Sequence, residues 1–150
     1  HAHNEGQLEE AISIYSKILE SVTEKDKNVI AVIRKHRGMA YFSMNDYKNA
    51  LADFEVSLQF DPKAYRTHYY KGIVYSITKD YENACSCFET SLEINPFQAH
   101  TNFRLAMAYY EIQEYEKSMN ALNTAIKLGM DPDECKVLND KLVKKFGLGM

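Results

Sequence analysis

The stretch GMAYFSMNDYKNALADFEVSLQF at residues 38–60 returns as GIVYSITKDYENACSCFETSLEI at 72–94 and as AMAYYEIQEYEKSMNALNTAIKL at 106–128. The three segments lie 34 residues apart, and within each of them apolar side chains recur at three and four, which is the helical period. Repetition at this spacing indicates one supersecondary unit stacked on copies of itself. We therefore predict an all-α solenoid, an architecture that usually displays a binding surface and rarely holds a reaction centre.

One copy of the unit reads as two helices joined by a tight turn. We expect the first helix over residues 28–44, the turn at Asn45-Asp46 and the second helix over 47–60, ending before Asp61-Pro62. Asn and Asp tolerate tight-turn backbone and cap helices, and Pro can occupy the first turn of the next helix. Gly38 is small at the point where the two helices should approach most closely. The second helix is expected to bury Ala50, Phe54, Val56 and Leu58.

This pattern resembles the tetratricopeptide repeat, a helix-turn-helix unit with a small residue followed three positions later by a Tyr. The small residues are Gly38, Gly72 and Ala106, and the tyrosines are Tyr41, Tyr75 and Tyr109. The third copy departs from the motif, with Ser118 for Ala, Leu122 for an aromatic residue and a two-residue insertion at Gly129-Met130. The resemblance implies a right-handed superhelical solenoid of helix-turn-helix repeats, an α-α superhelix, with repeats at 31–64, 65–98 and 99–132.

The two ends of the predicted array, which spans residues 1–150, differ from its middle. Residues 5–23 match only the second half of a repeat, so a helix without its partner begins the chain. Either the chain is a fragment of a longer array, or this helix caps the stack or meets another chain. Residues 133–147 read as a C-terminal capping helix that ends the array, with apolar positions at Cys135, Leu138, Leu142 and Phe146.

Composition excludes several classes of function. The formal net charge is −3 and the pI about 6.0, so the chain lacks the basic footprint of a nucleic-acid-binding protein. No apolar run approaches the roughly 20 residues of a membrane span. Three Cys without metal spacing indicate reduced thiols in a cytoplasmic protein. No phosphate loop, metal motif or nucleophile motif is present, so we expect no cofactor, no metal and no enzyme activity.

In the tetratricopeptide repeat family, the first helices of successive units line a concave groove that binds peptides. Carried over by register, the resemblance implies a peptide-binding groove at Lys35, Met39, Phe42, Arg66, Tyr69, Ile73, His100, Phe103, Arg104, Met107 and Tyr110. Its aromatic and methionine side chains and its cationic edge would suit a peptide with apolar anchors and an acidic element. The competing interpretation is that some of these residues only pack between adjacent helices or against the last one.

One subgroup of the family grips the C-terminal carboxylate of heat-shock chaperones with a clamp of Lys, Asn and Arg. Lys35 and Arg104 stand where the clamp needs them. Met39 and Tyr70 replace its two Asn residues, and His100 replaces its second Lys. With both amide donors lost, the sequence argues against this clamp.

The sequence therefore predicts a non-catalytic protein–protein interaction scaffold or adaptor that binds a peptide segment of a partner. Two alternatives stay open. The chain could be a self-assembly unit that forms a homo-oligomer through its N-terminal edge, or it could be the targeting arm of a larger multidomain enzyme.

Overall fold

The computed structural model describes residues 2–147, which form eight α-helices and no strands. In chain order the helices are α1 (Ala2–Ser21), α2 (Lys27–Ser43), α3 (Tyr47–Phe60), α4 (Tyr65–Ile77), α5 (Tyr81–Ile94), α6 (Ala99–Glu111), α7 (Tyr115–Lys127) and α8 (Lys136–Gly147). The predicted all-α, helix-turn-helix fold is confirmed. The chain divides into two compact units, His1–Val74 and Tyr75–Met150.

Helix boundaries follow the sequence pattern closely except at the two ends. The α3 helix has the predicted bounds, and α2 is displaced by one residue. The α1 helix starts at Ala2, three residues before the expected half repeat. The α8 helix starts at Lys136 and not at Asp133, because residues 131–135 close a tighter turn. In that turn the Glu134 and Cys135 N–H groups donate to the Asp131 and Pro132 carbonyls at 3.0 and 3.1 Å.

The helix pair of the first unit is built around the contact between Gly38 and Phe54. A Cβ placed on Gly38 would lie 2.8 Å from Phe54 Cε1, a distance that real Cβ atoms do not tolerate. Phe54 is fully buried with Ala50 and Val74. The expected burial of Ala50 and Phe54 is thus confirmed, whereas Val56 and Leu58 are only partly buried. A larger side chain at position 38 would push α2 and α3 apart.

The turn between paired helices has the same unusual backbone in every repeat. Asn45, Lys79 and Gln113 all lie in the left-handed region, with φ values of 62°, 66° and 66°. The following residue then donates its N–H to the carbonyl of Tyr41, Tyr75 or Tyr109 at 2.8–2.9 Å. This bond closes the C-terminus of the first helix in each pair. Asn is the only one of the three residue types that adopts this backbone readily.

A buried carboxylate joins three helices of the first unit. Asp53 on α3 accepts two hydrogen bonds from Arg37 on α2, at 2.8 and 2.7 Å, and a third from Arg34 at 2.9 Å. Arg37 also donates to Ser16 Oγ on α1 at 3.0 Å. The hydrogen bond with Asp53 raises the pKa of Arg37 further above its ordinary value. The sequence analysis did not anticipate this network.

The second unit is held together by apolar packing and by a buried serine. Ser118 on α7 donates its hydroxyl to the Ala106 carbonyl on α6 at 2.6 Å, so the third repeat replaces its usual Ala with a polar contact. The α8 helix buries Leu138 and Leu142, and Cys135 is buried in the turn before it. Phe146 was expected on the same buried stripe and is instead half-exposed. It lies in the last turn of α8, one turn beyond the last buried residue.

We predict that Gln113→Gly stabilises the protein by about 1 kcal/mol, since glycine adopts the left-handed backbone without a Cβ penalty. Urea denaturation followed by circular dichroism measures the change. Gln113→Ala keeps the Cβ and should give no stabilisation. Equal effects of the two substitutions would show that the turn is not strained at this position.

We predict that Asp53→Ala lowers the free energy of unfolding by about 3 kcal/mol, because it leaves two arginines facing a buried site without their counter-ion. Glu55→Ala on the same helix is the matched control. Glu55 is exposed, its carboxylate lies 4.0 Å from Lys71 Nζ, and its loss should cost less than about 1 kcal/mol. A small effect of Asp53→Ala in the same urea titration would contradict a stabilising role for the network.

Candidate functional site

In the first unit, two of the cationic residues predicted for the groove lie at a common pocket. Lys35 on α2 and Arg66 on α4 line a cavity of about 360 Å³. Four further residues complete its wall: Lys63, Ala64, Tyr65 and Thr67. The α4 helix begins at Tyr65, so the pocket lies at the end of the helix that carries partial positive charge. The pocket is therefore cationic through both its side chains and its backbone.

The apolar groove residues of α2 contribute to the core of the first unit. Met39 and Phe42 are partly buried and pack against the cluster of Ala50, Phe54 and Val74. The Phe42 ring centroid lies 6.0 Å from that of Tyr47. Met39 and Phe42 therefore pack between helices, which is the role that the competing interpretation of the groove positions gives to some of them.

On α4, the predicted groove residues Tyr69 and Ile73 are also partly buried. The Tyr69 ring meets Tyr70 edge-on, with centroids 5.5 Å apart, and Tyr70 stacks on the buried Phe54. Tyr69 therefore packs against an aromatic chain that leads into the core.

In the second unit, three predicted groove residues line one apolar cleft. Phe103, Met107 and Tyr110 lie on α6, and the opposite wall is supplied by Val137 and Leu138 on α8. The cleft has a volume of about 110 Å³. Its polar lining residues are Glu111, Glu134 and Lys141. The C-terminal helix thus forms one side of a candidate site in addition to covering the end of α7.

Apolar side chains remain accessible at this cleft. Met107 is 41% exposed and Val137 is 68% exposed, although both lie beside other apolar groups. The Lys141 ammonium sits 5.7 Å from the centre of the Tyr110 ring and so fixes one edge of the cleft. His100 and Arg104, the two remaining groove predictions, are exposed on α6 and do not line the cleft.

Sequence reasoning missed Val137, Lys141 and Lys63. The register rule considers only the first helix of each repeat, whereas α8 follows the last repeat and Lys63 lies in a linker. A signal was nevertheless present in the sequence, because Val137 and Lys141 are four residues apart and share a face of α8, and Glu134 lies three residues earlier in the preceding turn. The more regular apolar pattern on α8 is that of its buried residues, Leu138 and Leu142.

Three side chains of the second unit, two cysteines and one tyrosine, have raised pKa values. Cys85, Cys87 and Cys135 are buried, and burial raises the pKa of Cys85 to about 12, so its thiol stays protonated at neutral pH. The Tyr109 hydroxyl donates to Glu89, and burial together with this carboxylate raises the pKa of Tyr109. Among residues 2–147, no three His, Cys, Asp or Glu side chains converge to hold a metal ion.

None of the helices in the described part of the chain has the length and hydropathy needed to cross a membrane.

Repeated helix pairs joined by the same left-handed turn place the chain in the class of helical-repeat proteins. Three segments match the model of the tetratricopeptide repeat family, at residues 36–63, 65–98 and 99–128. These segments cover more than half of the chain, which belongs to the tetratricopeptide repeat family. A search of curated protein sequences finds no match.

Solved structures share this fold. The first TPR of Spaghetti (RPAP3) bound to an HSP90 peptide is 18% identical, with a TM-score of 0.74 over 78% of this chain and 93% of that one. The MamA RS-1 ArsTM double mutant is 27% identical, with a TM-score of 0.74 over 87% and 70% of the two chains. The TPR2B domain of yeast Sti1, in complex with pHsp70, is 18% identical, with a TM-score of 0.67 over 81% and 98% of the two chains.

We predict that Thr67→Val raises the free energy of unfolding by about 1 kcal/mol in phosphate-free buffer. The Thr67 hydroxyl is fully buried and has no hydrogen-bond partner among the described residues. Thr101 occupies the same repeat position and donates to Gln98 Oε1 at 2.8 Å. Thr101→Val, which removes that bond, should therefore lower stability by a similar amount. Loss of stability in both variants would show that the Thr67 hydroxyl has a partner.

Proposed function

We propose that this chain is a protein-interaction module that binds a peptide segment of a partner and catalyses no reaction of its own. The observation that carries the proposal is the apolar cleft of the second unit, where Phe103, Met107 and Tyr110 face Val137 across α6 and α8. Exposed apolar side chains around a preformed cleft are a common feature of protein-binding surfaces. The peptide-binding groove predicted from the repeat register includes three of these residues.

The size and lining of the cleft favour a single apolar anchor. A cavity of about 150 Å³ lined by apolar side chains holds one benzene molecule, so about 110 Å³ suits a branched aliphatic side chain. Methionine adapts its shape to different partners, and Met107 lies at the rim. A peptide that inserts Leu, Ile or Val here would bury apolar surface now exposed on Met107 and Val137.

Rigid helices make such binding efficient. The walls of the cleft come from α6 and α8, whose side chains are already held by the buried Leu105, Leu138 and Leu142. Little conformational entropy is then lost on the receptor side when the peptide docks, and more of the contact energy appears as affinity. Considered by itself, the first unit has a cationic pocket at Lys35 and Arg66 that would suit an acidic element of a partner.

Self-assembly is the second candidate function. Ile14 on α1 is half-exposed and so offers an apolar contact to a second copy of the chain. Sedimentation velocity over a hundredfold range of concentration tests it, with Ile14→Lys as the variant. Dimer formation lost on this substitution would support self-assembly through α1, and a monomer at every concentration would rule it out.

The interaction proposal is tested with peptides selected from a library of random 12-mers displayed on phage. We predict that Val137→Ala weakens the selected peptides by about 1 kcal/mol, roughly fivefold in Kd, because the lost methyl groups no longer contact the anchor. Isothermal titration calorimetry measures the change.

Val143→Ala is the matched control. It removes the same groups from the same helix, at a residue that is 47% exposed and does not line the cleft. Its peptide affinity should equal that of the wild type. Equal affinities for both variants, or a library that yields no binding peptide with an apolar anchor, would overturn the assignment of the cleft.

A further inference from the structure

We infer that the pocket at the start of α4 is an oxyanion site for a phosphate monoester, carried by a phosphorylated side chain of the partner peptide. The inference rests on the proposed interaction function for the source of the phosphate, but the site is defined by the first unit alone. Three cationic residues meet at a cavity of about 360 Å³: Lys35, Lys63 and Arg66.

The positive charge of this pocket is not neutralised within the described part of the chain. None of its six lining residues is acidic, and no ion pair joins Lys35, Lys63 or Arg66 to a carboxylate among residues 2–147. Arg34 and Arg37 on the neighbouring helix face behave in the opposite way, since both bind the buried Asp53. Three cations without an ion-pair partner in the described part of the chain line this one pocket, although the whole chain carries a net charge of −3.

The backbone adds to the same field. The α4 helix has 13 residues and begins at Tyr65, directly after Lys63 and Ala64. Its dipole places partial positive charge at this end, where backbone N–H groups favour anions. The Arg66 guanidinium lies 5.7 Å from the centre of the Tyr65 ring, which holds this cation beside the helix start.

A buried hydroxyl in the pocket wall gives an independent indication of a ligand. Thr67 lines the cavity, is fully buried, and has no hydrogen-bond partner for its Oγ1 among residues 2–147. Buried hydroxyl groups in native proteins are normally paired, and Thr101 at the same repeat position is paired with Gln98. A small opening at the start of α4 would bring this hydroxyl to an oxyanion in the pocket, which would supply the acceptor that Thr67 lacks.

The number of donors favours phosphate over carboxylate. A phosphate monoester carries close to two negative charges at neutral pH and presents three acceptor oxygens. Two lysines, one arginine and one hydroxyl match that demand, and arginine binds phosphate through paired hydrogen bonds. A carboxylate would leave part of this positive charge uncompensated.

The test uses the full chain, labelled with ¹⁵N, and small probes at constant ionic strength. Inorganic phosphate, N-acetylphosphoserine amide and N-acetylglutamate amide are titrated separately while backbone amide shifts are recorded. We expect the two phosphates to shift the amides of residues 63–67 in a saturable way, with phosphoserine binding at least as tightly as free phosphate. The glutamate probe should bind at least about tenfold more weakly.

Matched charge variants distinguish binding at this pocket from nonspecific electrostatic attraction of the anion to the protein. Lys63→Gln with Arg66→Gln should weaken phosphoserine binding at least about tenfold, because two charge-assisted contacts are lost. Lys136→Gln with Lys144→Gln on α8 removes the same charge and should leave the affinity unchanged. Lys35→Gln alone provides a second variant if the double change at the pocket unfolds the chain. Thr67→Val should weaken binding while stabilising the free protein.

Four results would overturn the inference. They are shifts spread over the whole chain, equal binding of the glutamate probe, tighter binding of free phosphate than of phosphoserine, or equal losses in the α8 control variant. Failure of the peptide proposal gives a different result, since Val137→Ala leaves phosphate titrations unchanged whether or not the apolar cleft binds a peptide.

Discussion

The close approach of paired helices at a residue without a bulky side chain is the constraint on which the fold depends. At Gly38 no Cβ fits, because Phe54 of the facing helix occupies that space and is itself fully buried. The third repeat meets the same demand with a fully buried Ala106, whose carbonyl accepts a hydrogen bond from Ser118 of the facing helix. Once these contacts fix which face of each helix is covered, the turn residues and the remaining faces are determined. Because each helix pair needs a small residue at this contact, small residues recur every 34 residues in the sequence.

Local rules explain why so much of the fold could be predicted. The turn residues follow from short-range chemistry, and the Asp46 and Asp80 side chains each accept the N–H of the residue three positions on, as N-cap residues do. Glu114 holds the equivalent position without such a bond. The network of Arg34, Arg37 and Asp53 escaped prediction because charged residues are abundant on helix surfaces. The amino-acid sequence alone does not indicate which carboxylate is buried between two helices.

The candidate site was predicted only in part, for a related physical reason. Periodicity identifies the helix that contributes a residue, but a partly buried position on that helix can serve the core or the open surface. Met39 and Phe42 pack into the core of their own helix pair, whereas Phe103, Met107 and Tyr110 line a cleft. The two sets of residues differ because α6 has a second wall opposite it, and that wall makes a cleft. The α8 helix brings Val137 and Lys141 opposite α6, and this helix lies outside the repeat register from which the groove was predicted.

Net charge is a poor guide to the chemistry of a partner for a chain of this kind. A charge of −3 excludes an extended basic surface, yet it permits local concentrations of either sign. Basic residues that serve the fold differ from those open to a ligand in whether an ion pair with a carboxylate neutralises them. Arg34 and Arg37 surround a buried carboxylate and so contribute to the fold. Lys35, next to Arg34 in the chain, lines a pocket whose cations have no carboxylate partner among residues 2–147. Because adjacent residues on one helix face different neighbours, one basic side chain stabilises the fold while the next remains available for a ligand.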